Sequence, residues 1–261
     1  MPNIPQVGVF DTSFHTTIPD YANTYPGPYL WKELGIKRFG FHGINYEYCS
    51  ARCSVLLKKD EFKTVCCHLG NGSSIAAIDH THSIDTSMGF TPLEGLMMGS
   101  RCGSIDPGII LFLEQQYHQS PEEIFKTLNY ESGLKGISGS SNDMRDIIDL
   151  CSKNDPRAKL SFEMYVYSVK RNIGAMIGIL NGFNTLIFTA GIGENSALIR
   201  QKVCQGLQHV GVIIDEQKNL SCSGDKLISS GCSSIDILVV KAQEDWCIAH
   251  KISEMRSNGL L

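Results

Sequence analysis

Short runs of β-branched and apolar residues alternate along the chain with longer amphipathic stretches. Five such runs predict β-strands, at residues 64–69, 73–79, 83–86, 185–189 and 236–240. Asn71 and Gly72 lie between the first two runs and predict a hairpin there. The last two runs are each followed by a helical pattern, as is typical of buried parallel strands.

Helical periodicity fills much of the remaining sequence. The longest pattern covers residues 156–181, and Pro121 after Ser120 marks the beginning of another helix. Residues 16–30 and 89–108 are rich in glycine and proline and predict irregular segments. Together the elements predict an α/β fold in three layers, with a mixed sheet flanked by helices. The predicted helices cover residues 45–59, 107–118, 121–129, 142–151, 156–181, 196–210 and 244–256.

Composition and charge exclude several classes of protein. The chain has 261 residues, is 42% hydrophobic and 19% charged, and carries a net charge of −4, which is typical of one large or two modest globular domains. The sequence has no basic run for sequence-independent binding of nucleic acid and no signal peptide pattern. No apolar run reaches the roughly 18–20 residues of a membrane span. Ten cysteines without a CxxC pair favour free thiols in a reducing cytoplasm.

Three polar clusters beside glycines carry the strongest chemical signal. Glycines let backbone N–H groups approach a phosphate closely, and helix N-termini beside strand ends bind nucleotides in α/β folds. The first cluster also fits a plain hairpin turn, and the second fits a charge pair at a helix N-terminus. The clusters consist of His68, Leu69, Gly70, Asn71 and Gly72; of Asp143, Met144 and Arg145; and of Gly191, Ile192, Gly193, Glu194 and Asn195.

Six segments of the chain resemble the acetate kinase family, which includes the propionate kinases. The most specific is DTSMGFTPLEGLMMGSR at residues 85–101. The resemblance implies a ribonuclease H-like domain of the actin and sugar kinase superfamily, in which the three clusters bind ATP or ADP. It also implies reversible transfer of a phosphoryl group between ATP and a short-chain carboxylate, with Mg²⁺ or Mn²⁺ as cofactor. The other segments are VFDTSFH (9–15), FGFHG (39–43), CHLGNG (67–72), SGLKGISGSSNDMR (132–145) and FTAGIGENS (188–196).

The same resemblance implies roles for four further residues. Asp11 matches the family's essential aspartate, His42 and Arg101 match the residues that stabilise the transferring phosphoryl group, and Glu244 matches a Mg²⁺ ligand. A carboxylate substrate is already ionised at neutral pH, which favours Asp11 as an orienting group over a base. Each residue also has a structural interpretation. Asp11 could cap a helix or turn, His42 could be a core histidine, Arg101 a surface arginine, and Glu244 an acid at a helix N-terminus.

Two features depart from the family pattern. Tyr46 stands where the family has a second histidine, and tyrosine can form a hydrogen bond but lacks imidazole chemistry. The family's first domain supplies further phosphate- and carboxylate-binding residues, and this sequence contains no counterpart of them. The expected organisation is therefore the end of a first domain at 1–10, a nucleotide-binding catalytic domain at 11–245, and a C-terminal helix at 246–261 that packs on the first domain.

The expected function is therefore phosphorylation of acetate by ATP, with little activity from the isolated chain. The alternatives are an inactive nucleotide-binding module, one half of a split enzyme with a separate N-terminal half, and a propionate or butyrate kinase. A ribonuclease H-like nuclease is disfavoured, because no group of three or four carboxylates fits a two-metal site. The resemblance also implies a homodimer through this domain, and we expect exposed apolar surface where the first domain would pack.

Overall fold

A mixed sheet of six strands organises the part of the chain that the structure, a computed structural model, describes (residues 4–260). The strands are β1 (Lys63–Leu69), β2 (Ser73–Asp79), β3 (His82–Thr86), β4 (Thr185–Thr189), β5 (Lys226–Leu227) and β6 (Asp236–Val239). Their order is β3-β2-β1-β4-β6-β5. β1, β4 and β6 run parallel, and β2, β3 and β5 pair antiparallel with their neighbours. The predicted hairpin and the predicted mixed sheet are both confirmed.

Helices cover both faces of this sheet. Several begin where the sequence provides a cap: Ser120 and Glu123 form a capping box, and the Asp155 side chain caps the longest helix. The helices are α1 (Asp20–Asn23), α2 (Leu30–Glu33), α3 (Gly43–Leu57), α4 (Gly108–Tyr117), α5 (Pro121–Tyr130), α6 (Gly133–Ser138), α7 (Met144–Ser152), α8 (Pro156–Ile179), α9 (Ala190–Asn195), α10 (Ala197–Cys204), α11 (Glu216–Leu220) and α12 (Glu244–Ser257), with 3₁₀ turns at Ser13–Thr17 and Gln208–Val210.

The two faces of the sheet contribute to two separate cores. Val65, Cys67 and Leu69 of β1 pack into the larger core with residues of α7, α8 and α10. Cys66, between them, packs into the smaller core with residues of α3. This alternation follows from the two-residue period of a strand, and it buries Cys66 and Cys67 as small hydrophobic residues, as the sequence predicts.

Several short elements and the end of one helix differ from the sequence-based prediction. The 3₁₀ turn at Ser13–Thr17 and the single helical turns α1 and α2 lie in or overlap residues 16–30, which were expected to be irregular, and α6, α11 and β5 were not predicted. These elements span only two to six residues, too few to establish a hydrophobic period. The helix predicted to reach residue 210 ends at Cys204, because Gly206 adopts a φ of 94° and turns the chain away.

Residues 89–108 form the long loop that the sequence predicts, without a strand or helix before α4. The loop turns at Gly95 and Gly103, whose φ angles of 108° and 76° favour glycine. Arg38 holds its beginning through hydrogen bonds to backbone oxygens of residues 86–88 and an ion pair with Glu94 at 2.9 Å. These contacts fix the segment that carries Arg101.

Within residues 4–260, no helix combines the length and the apolar character needed to cross a membrane.

Candidate active site

The carboxyl ends of the parallel strands meet at one edge of the sheet. His68 near the end of β1 pairs in register with Thr189 at the end of β4. The Asn45 side chain, in the first turn of α3, donates from Nδ2 to His68 Nδ1 at 2.9 Å and to Thr189 Oγ1 at 3.3 Å. Asn45 therefore joins α3 to both strand ends, at the edge where α/β folds bind ligands.

Asp11 caps the N-terminus of α3. Its carboxylate oxygens accept hydrogen bonds from the backbone N–H groups of His42 at 2.6 Å and of Ile44 at 3.3 Å, and its backbone oxygen accepts from Gly43 N–H at 2.8 Å. His42 adopts a left-handed conformation with φ 59° and ψ 23°, which is costly for a residue with a side chain. The Asp11 contacts hold His42 in this conformation, so the capping interpretation of Asp11 is what the structure shows.

The imidazole rings of His42 and His68 stack on each other. Their centroids lie 3.8 Å apart and their planes differ by 4°. Burial lowers the pKa of His42 to about 4, the positive charge of Arg101 also lowers it, and the negative charge of Asp11 partly opposes this shift. Burial likewise places the pKa of His68 well below its ordinary value. Both rings are therefore neutral at neutral pH, which allows them to stack without repulsion between like charges.

Arg101 and His42 converge on Gly72. A methyl group added at Gly72 would lie 3.4 Å from Arg101 Nη1 and 3.6 Å from His42 Nε2, so glycine keeps this space open. Arg101 donates weakly to the Pro92 carbonyl oxygen at 3.3 Å and, among the described residues, forms no ion pair. Most of its planar set of donors is thus available to an anion placed beside Gly72.

A cavity of about 720 Å³ lies next to this turn, within the usual size range of small-molecule sites. All three clusters predicted from the sequence contribute to its wall, although 118 residues separate the first cluster from the last. Asn142, Ile148 and Ser196 also line the cavity and were not identified from the sequence. Ile148 lies one helical turn beyond Met144 and Arg145, so the period of α7 could have indicated it. The predicted residues in the wall are Gly70, Asn71, Asp143, Met144, Arg145, Gly191, Ile192 and Asn195.

Five of the predicted cluster residues lie outside the cavity wall. The side chain of Leu69 is buried in the core, and a methyl group at Gly193 would lie 3.4 Å from the Phe188 carbonyl carbon. Glu194 accepts from the Ala242 backbone N–H at 2.9 Å. His68 stacks on His42, and Gly72 lies at the space that His42 and Arg101 reach. A nucleotide-binding role stays a prediction for these five residues and for the eight that line the cavity.

Asp143 and Arg145 form the charge pair that was the structural interpretation of their cluster. Asp143 is the N-cap of α7 and accepts hydrogen bonds from the Arg145 backbone N–H at 2.8 Å and from Arg145 Nε at 3.0 Å. These contacts lower the pKa of Asp143 to about 2. Both residues also line the cavity, so the structural role of the pair and a contact with a ligand are compatible.

Arg200 contacts the backbone of the third cluster, and nothing in the sequence indicates this role beyond its place in an amphipathic helix. Its guanidinium is 1% exposed and donates to the backbone oxygens of Gly193 at 2.9 Å and Glu194 at 2.7 Å, and to Asn219 Oδ1 at 2.7 Å. Within residues 4–260 no carboxylate pairs with this buried cation. Arg200 therefore satisfies the last carbonyl groups of α9 and fixes the segment that follows β4.

Glu244 opens α12 directly after the loop that follows β6. Burial raises its pKa, and the negative charges of Asp11 and Asp245 raise it further, so Glu244 and Asp11 lie close enough to repel each other. The described residues hold no group of three or more metal-ligating side chains. Mg²⁺ is commonly bound by one or two carboxylates together with substrate phosphates and water, and the Asp11–Glu244 pair fits that donor set.

Comparison with known proteins places this geometry in a family. The model of the Acetokinase family matches residues 1–250. An acetate kinase from Microcystis aeruginosa is 52% identical over 251 residues, which are 95% of this chain and 63% of that protein. The crystal structure of Porphyromonas gingivalis acetate kinase superposes with a TM-score of 0.92 at 39% identity, over 96% of this chain and 64% of that one.

A crystal structure of a propionate kinase from Francisella tularensis superposes almost as well, with a TM-score of 0.90 at 40% identity over 95% of this chain and 64% of that one. The predicted ribonuclease H-like fold of the actin and sugar kinase superfamily is thereby confirmed. The chain spans less than two thirds of the length of each of these relatives.

Proposed function

Because this chain belongs to the acetokinase family, we propose that it forms the nucleotide-binding and phosphoryl-transferring part of a kinase that acts on short-chain carboxylates. The reaction is ATP and acetate to ADP and acetyl phosphate, in both directions. The observation that carries the proposal is the convergence of Arg101 Nη1 and His42 Nε2 on the open space at Gly72, beside a cavity of about 720 Å³.

This arrangement suits the charge of the reacting group. In the reaction one carboxylate oxygen of the substrate bonds to the γ-phosphorus of ATP while the bond to the β–γ bridging oxygen breaks, and ADP leaves. Negative charge is spread over the three other oxygens of the phosphoryl group in transit, so positioned donors stabilise it. Arg101 supplies a fixed cation and His42 a neutral imidazole, and both reach the space at Gly72.

The reaction needs no general base, because the carboxylate substrate is ionised at neutral pH. Each carboxylate oxygen of Asp11 accepts a backbone N–H of α3 and keeps a further lone pair. We therefore assign Asp11 a positioning role: it fixes the backbone of His42 and, with Glu244, offers carboxylate oxygens to Mg²⁺. A bound Mg²⁺ would neutralise charge on the nucleotide phosphates.

The nucleotide would enter the cavity with its phosphates toward the turn at Gly70 and Gly72. A methyl group at Gly70 would lie 3.9 Å from His68 Nε2, so this ring edge also faces the turn. Ile148 and Met144 offer apolar surface at the other side of the cavity for a flat base. The second and third clusters therefore hold the nucleoside and the first cluster holds the phosphates.

Gly191 gives a direct test of nucleotide binding. It lines the cavity, and a methyl group added there meets nothing within 4 Å, so Gly191→Trp fills space without disturbing the core. We expect the affinity for ADP, measured by isothermal titration calorimetry, to fall at least about tenfold, which corresponds to about 1.4 kcal/mol. Gly174→Trp is the matched control, because Gly174 is exposed on α8 with equally open surroundings. Equal ADP affinity of both variants would place the nucleotide elsewhere.

Activity is tested by trapping acyl phosphate with hydroxylamine. The chain is assayed alone and mixed with the first 150 or so residues of the Microcystis relative, roughly the part of that protein that this chain does not match. We expect little product from the chain alone and product from the mixture. ADP binding with no product in either case would favour the inactive nucleotide-binding module, and full activity of the chain alone would contradict our assignment of the carboxylate pocket.

The same assay measures the choice of acyl group. The chain resembles solved acetate and propionate kinases to nearly equal degrees. We propose acetate as the preferred substrate, because relatives that are about half identical to this chain are named acetate kinases. A higher kcat/KM for propionate or butyrate than for acetate would reverse this assignment.

A cytoplasmic location also stays a prediction, in keeping with ten cysteines that are all free thiols.

We further propose that the chain forms a homodimer through α4 and α5. No residue of α4 is buried, although Ile109, Leu111 and Phe112 lie on it with exposures of 45%, 54% and 54%. An apolar helix without a covering element is typical of a protein interface. In sedimentation velocity we expect wild type to be dimeric and Phe112→Glu to be monomeric. Leu220→Glu, which places the same charge at an exposed leucine of α11, should stay dimeric. A monomeric wild type would contradict this proposal.

A further inference from the structure

A chain of three hydrogen-bonded side chains leads from the core to the site. The Tyr46 hydroxyl lies 2.5 Å from Ser74 Oγ, and Ser74 Oγ lies 2.8 Å from His42 Nδ1. Tyr46 and Ser74 are completely buried. The ring of His42 extends from this contact toward the space at Gly72, which Arg101 Nη1 also reaches.

Counting donors and acceptors shows in which direction the hydrogen bonds between these three side chains run. Among the described residues, Ser74 Oγ is the partner of the Tyr46 hydroxyl, so the buried phenolic proton is satisfied only if Tyr46 donates to Ser74. Ser74 then donates its own proton to His42 Nδ1, because among the described residues this nitrogen is the remaining hydrogen-bond partner of its hydroxyl. The opposite direction leaves the phenolic proton without an acceptor in the core, which is unfavourable for a buried donor.

We propose that Tyr46 is a positioning residue that acts through Ser74 to hold His42 as the tautomer with its proton on Nε2. The N–H group of His42 then points into the space at Gly72 as a donor. With the proton on Nδ1, the lone pair of Nε2 would face the oxygens of a phosphoryl group and repel them. The benefit to catalysis rests on the proposed function, whereas the tautomer itself is a property of the unliganded chain.

His68 offers an independent parallel within the same stack. The Asn45 amide nitrogen, which can only donate, is bonded to His68 Nδ1, so His68 must also carry its proton on Nε2. Both stacked rings therefore present an N–H edge on the same side. Two buried residues of α3 set this common orientation: Tyr46 acts on His42 through Ser74, and Asn45 is bonded to His68 directly.

The test is ¹⁵N NMR of the full chain labelled at histidine, with the His42 signals assigned by their loss in His42→Gln. We expect wild-type His42 to show a protonated Nε2 and an unprotonated, hydrogen-bonded Nδ1. Protonation at Nδ1 in wild type would overturn the proposal, whatever the variants show. Because no nucleotide or turnover is needed, this result is independent of the proposed function.

Two variants test the roles of the two hydroxyl groups. Ser74→Ala should move the Nδ1 resonance fully to the value of a nitrogen without a hydrogen bond. Tyr46→Phe should move it part of the way, because Ser74 becomes a weaker donor when its oxygen no longer accepts a proton. In the acyl phosphate assay, Tyr46→Phe should lower kcat several-fold and leave ADP affinity unchanged. An unmoved Nδ1 resonance in Tyr46→Phe would show that Tyr46 does not act through Ser74.

Tyr165→Phe provides the matched control. Tyr165 is also completely buried, and its hydroxyl lies 3.3 Å from the Oγ of Ser73, the neighbour of Ser74 on β2. Because adjacent residues of a strand face opposite sides of the sheet, this pair lies in the other core. The control removes the same atom at similar burial, and we expect it to leave the His42 resonances in place. A shift as large as that of Tyr46→Phe would assign the effect to general loosening of the sheet.

Discussion

Replacing Arg101 with alanine is expected to lower the rate of acyl phosphate formation by about 10³-fold, the scale typical of an arginine that stabilises a transferring phosphoryl group. The physical reason is its position: Nη1 reaches the open space at Gly72, and no described carboxylate neutralises the guanidinium. Arg101→Lys should recover only part of the rate, because an ammonium lacks the planar set of donors. The measurement is the hydroxamate assay of the chain mixed with the relative's first-domain segment.

Nucleotide affinity separates this role from a loss of structure. Arg101 does not line the cavity, so Arg101→Ala should bind ADP within about twofold of wild type, a difference of about 0.4 kcal/mol. Arg171→Ala removes an equally large cation from an exposed position of α8 and should retain full activity. If the Arg101→Ala variant keeps more than a tenth of wild-type activity, Arg101 does not stabilise the transferring phosphoryl group.

Replacing Arg200 with methionine should lower the free energy of unfolding by about 1–3 kcal/mol, the usual cost of leaving buried acceptors without a donor. The guanidinium is 1% exposed and its three nitrogens donate to oxygens of Gly193, Glu194 and Asn219. Methionine fills a similar volume but leaves these oxygens without a donor. Urea denaturation followed by circular dichroism measures the change.

A control variant on the same helix and a second variant of Arg200 itself test this prediction. Lys202→Met changes an exposed cation of α10 and should alter the unfolding free energy by no more than about 0.5 kcal/mol. Arg200→Lys should be intermediate, because one ammonium cannot reach all the oxygens. If Arg200→Met unfolds like wild type, the carbonyl groups at the end of α9 must have other partners, and Arg200 does not hold the third cluster.

Long elements with a clear period were predictable from the sequence. The five predicted strands and α8 were found within one or two residues of their predicted limits, because burial on one or both faces dictates their composition. The turns of 3₁₀ and α-helix in residues 13–33 were not predictable. They are too short to show a period, and their geometry depends on contacts such as the one between Thr17 and Ser83 of β3.

The candidate site was predictable as a set of segments and only partly as a set of roles. Asp143 and Gly191 were identified by sequence, and they lie on one cavity. Arg200 and Asn45 were missed, because nothing in their local sequence distinguishes a buried arginine or asparagine from an exposed one. Asp11 was identified with a catalytic and a capping interpretation; its bonds to His42 and Ile44 show the cap, and a role in catalysis stays a prediction.

By itself, the sequence determined the fold class, the family and the segments that carry the chemistry, because strand and helix periods and glycine turns are local properties of the chain. Only the tertiary structure decided which atoms meet. That Tyr46 reaches His42 through Ser74, and that Arg101 shares the space at Gly72 with His42, depends on the packing of α3 against β2 and on the path of a long loop. Contacts of this kind join residues far apart in the chain, and burial, which sets their pKa values and hydrogen-bond directions, exists only once the chain has folded.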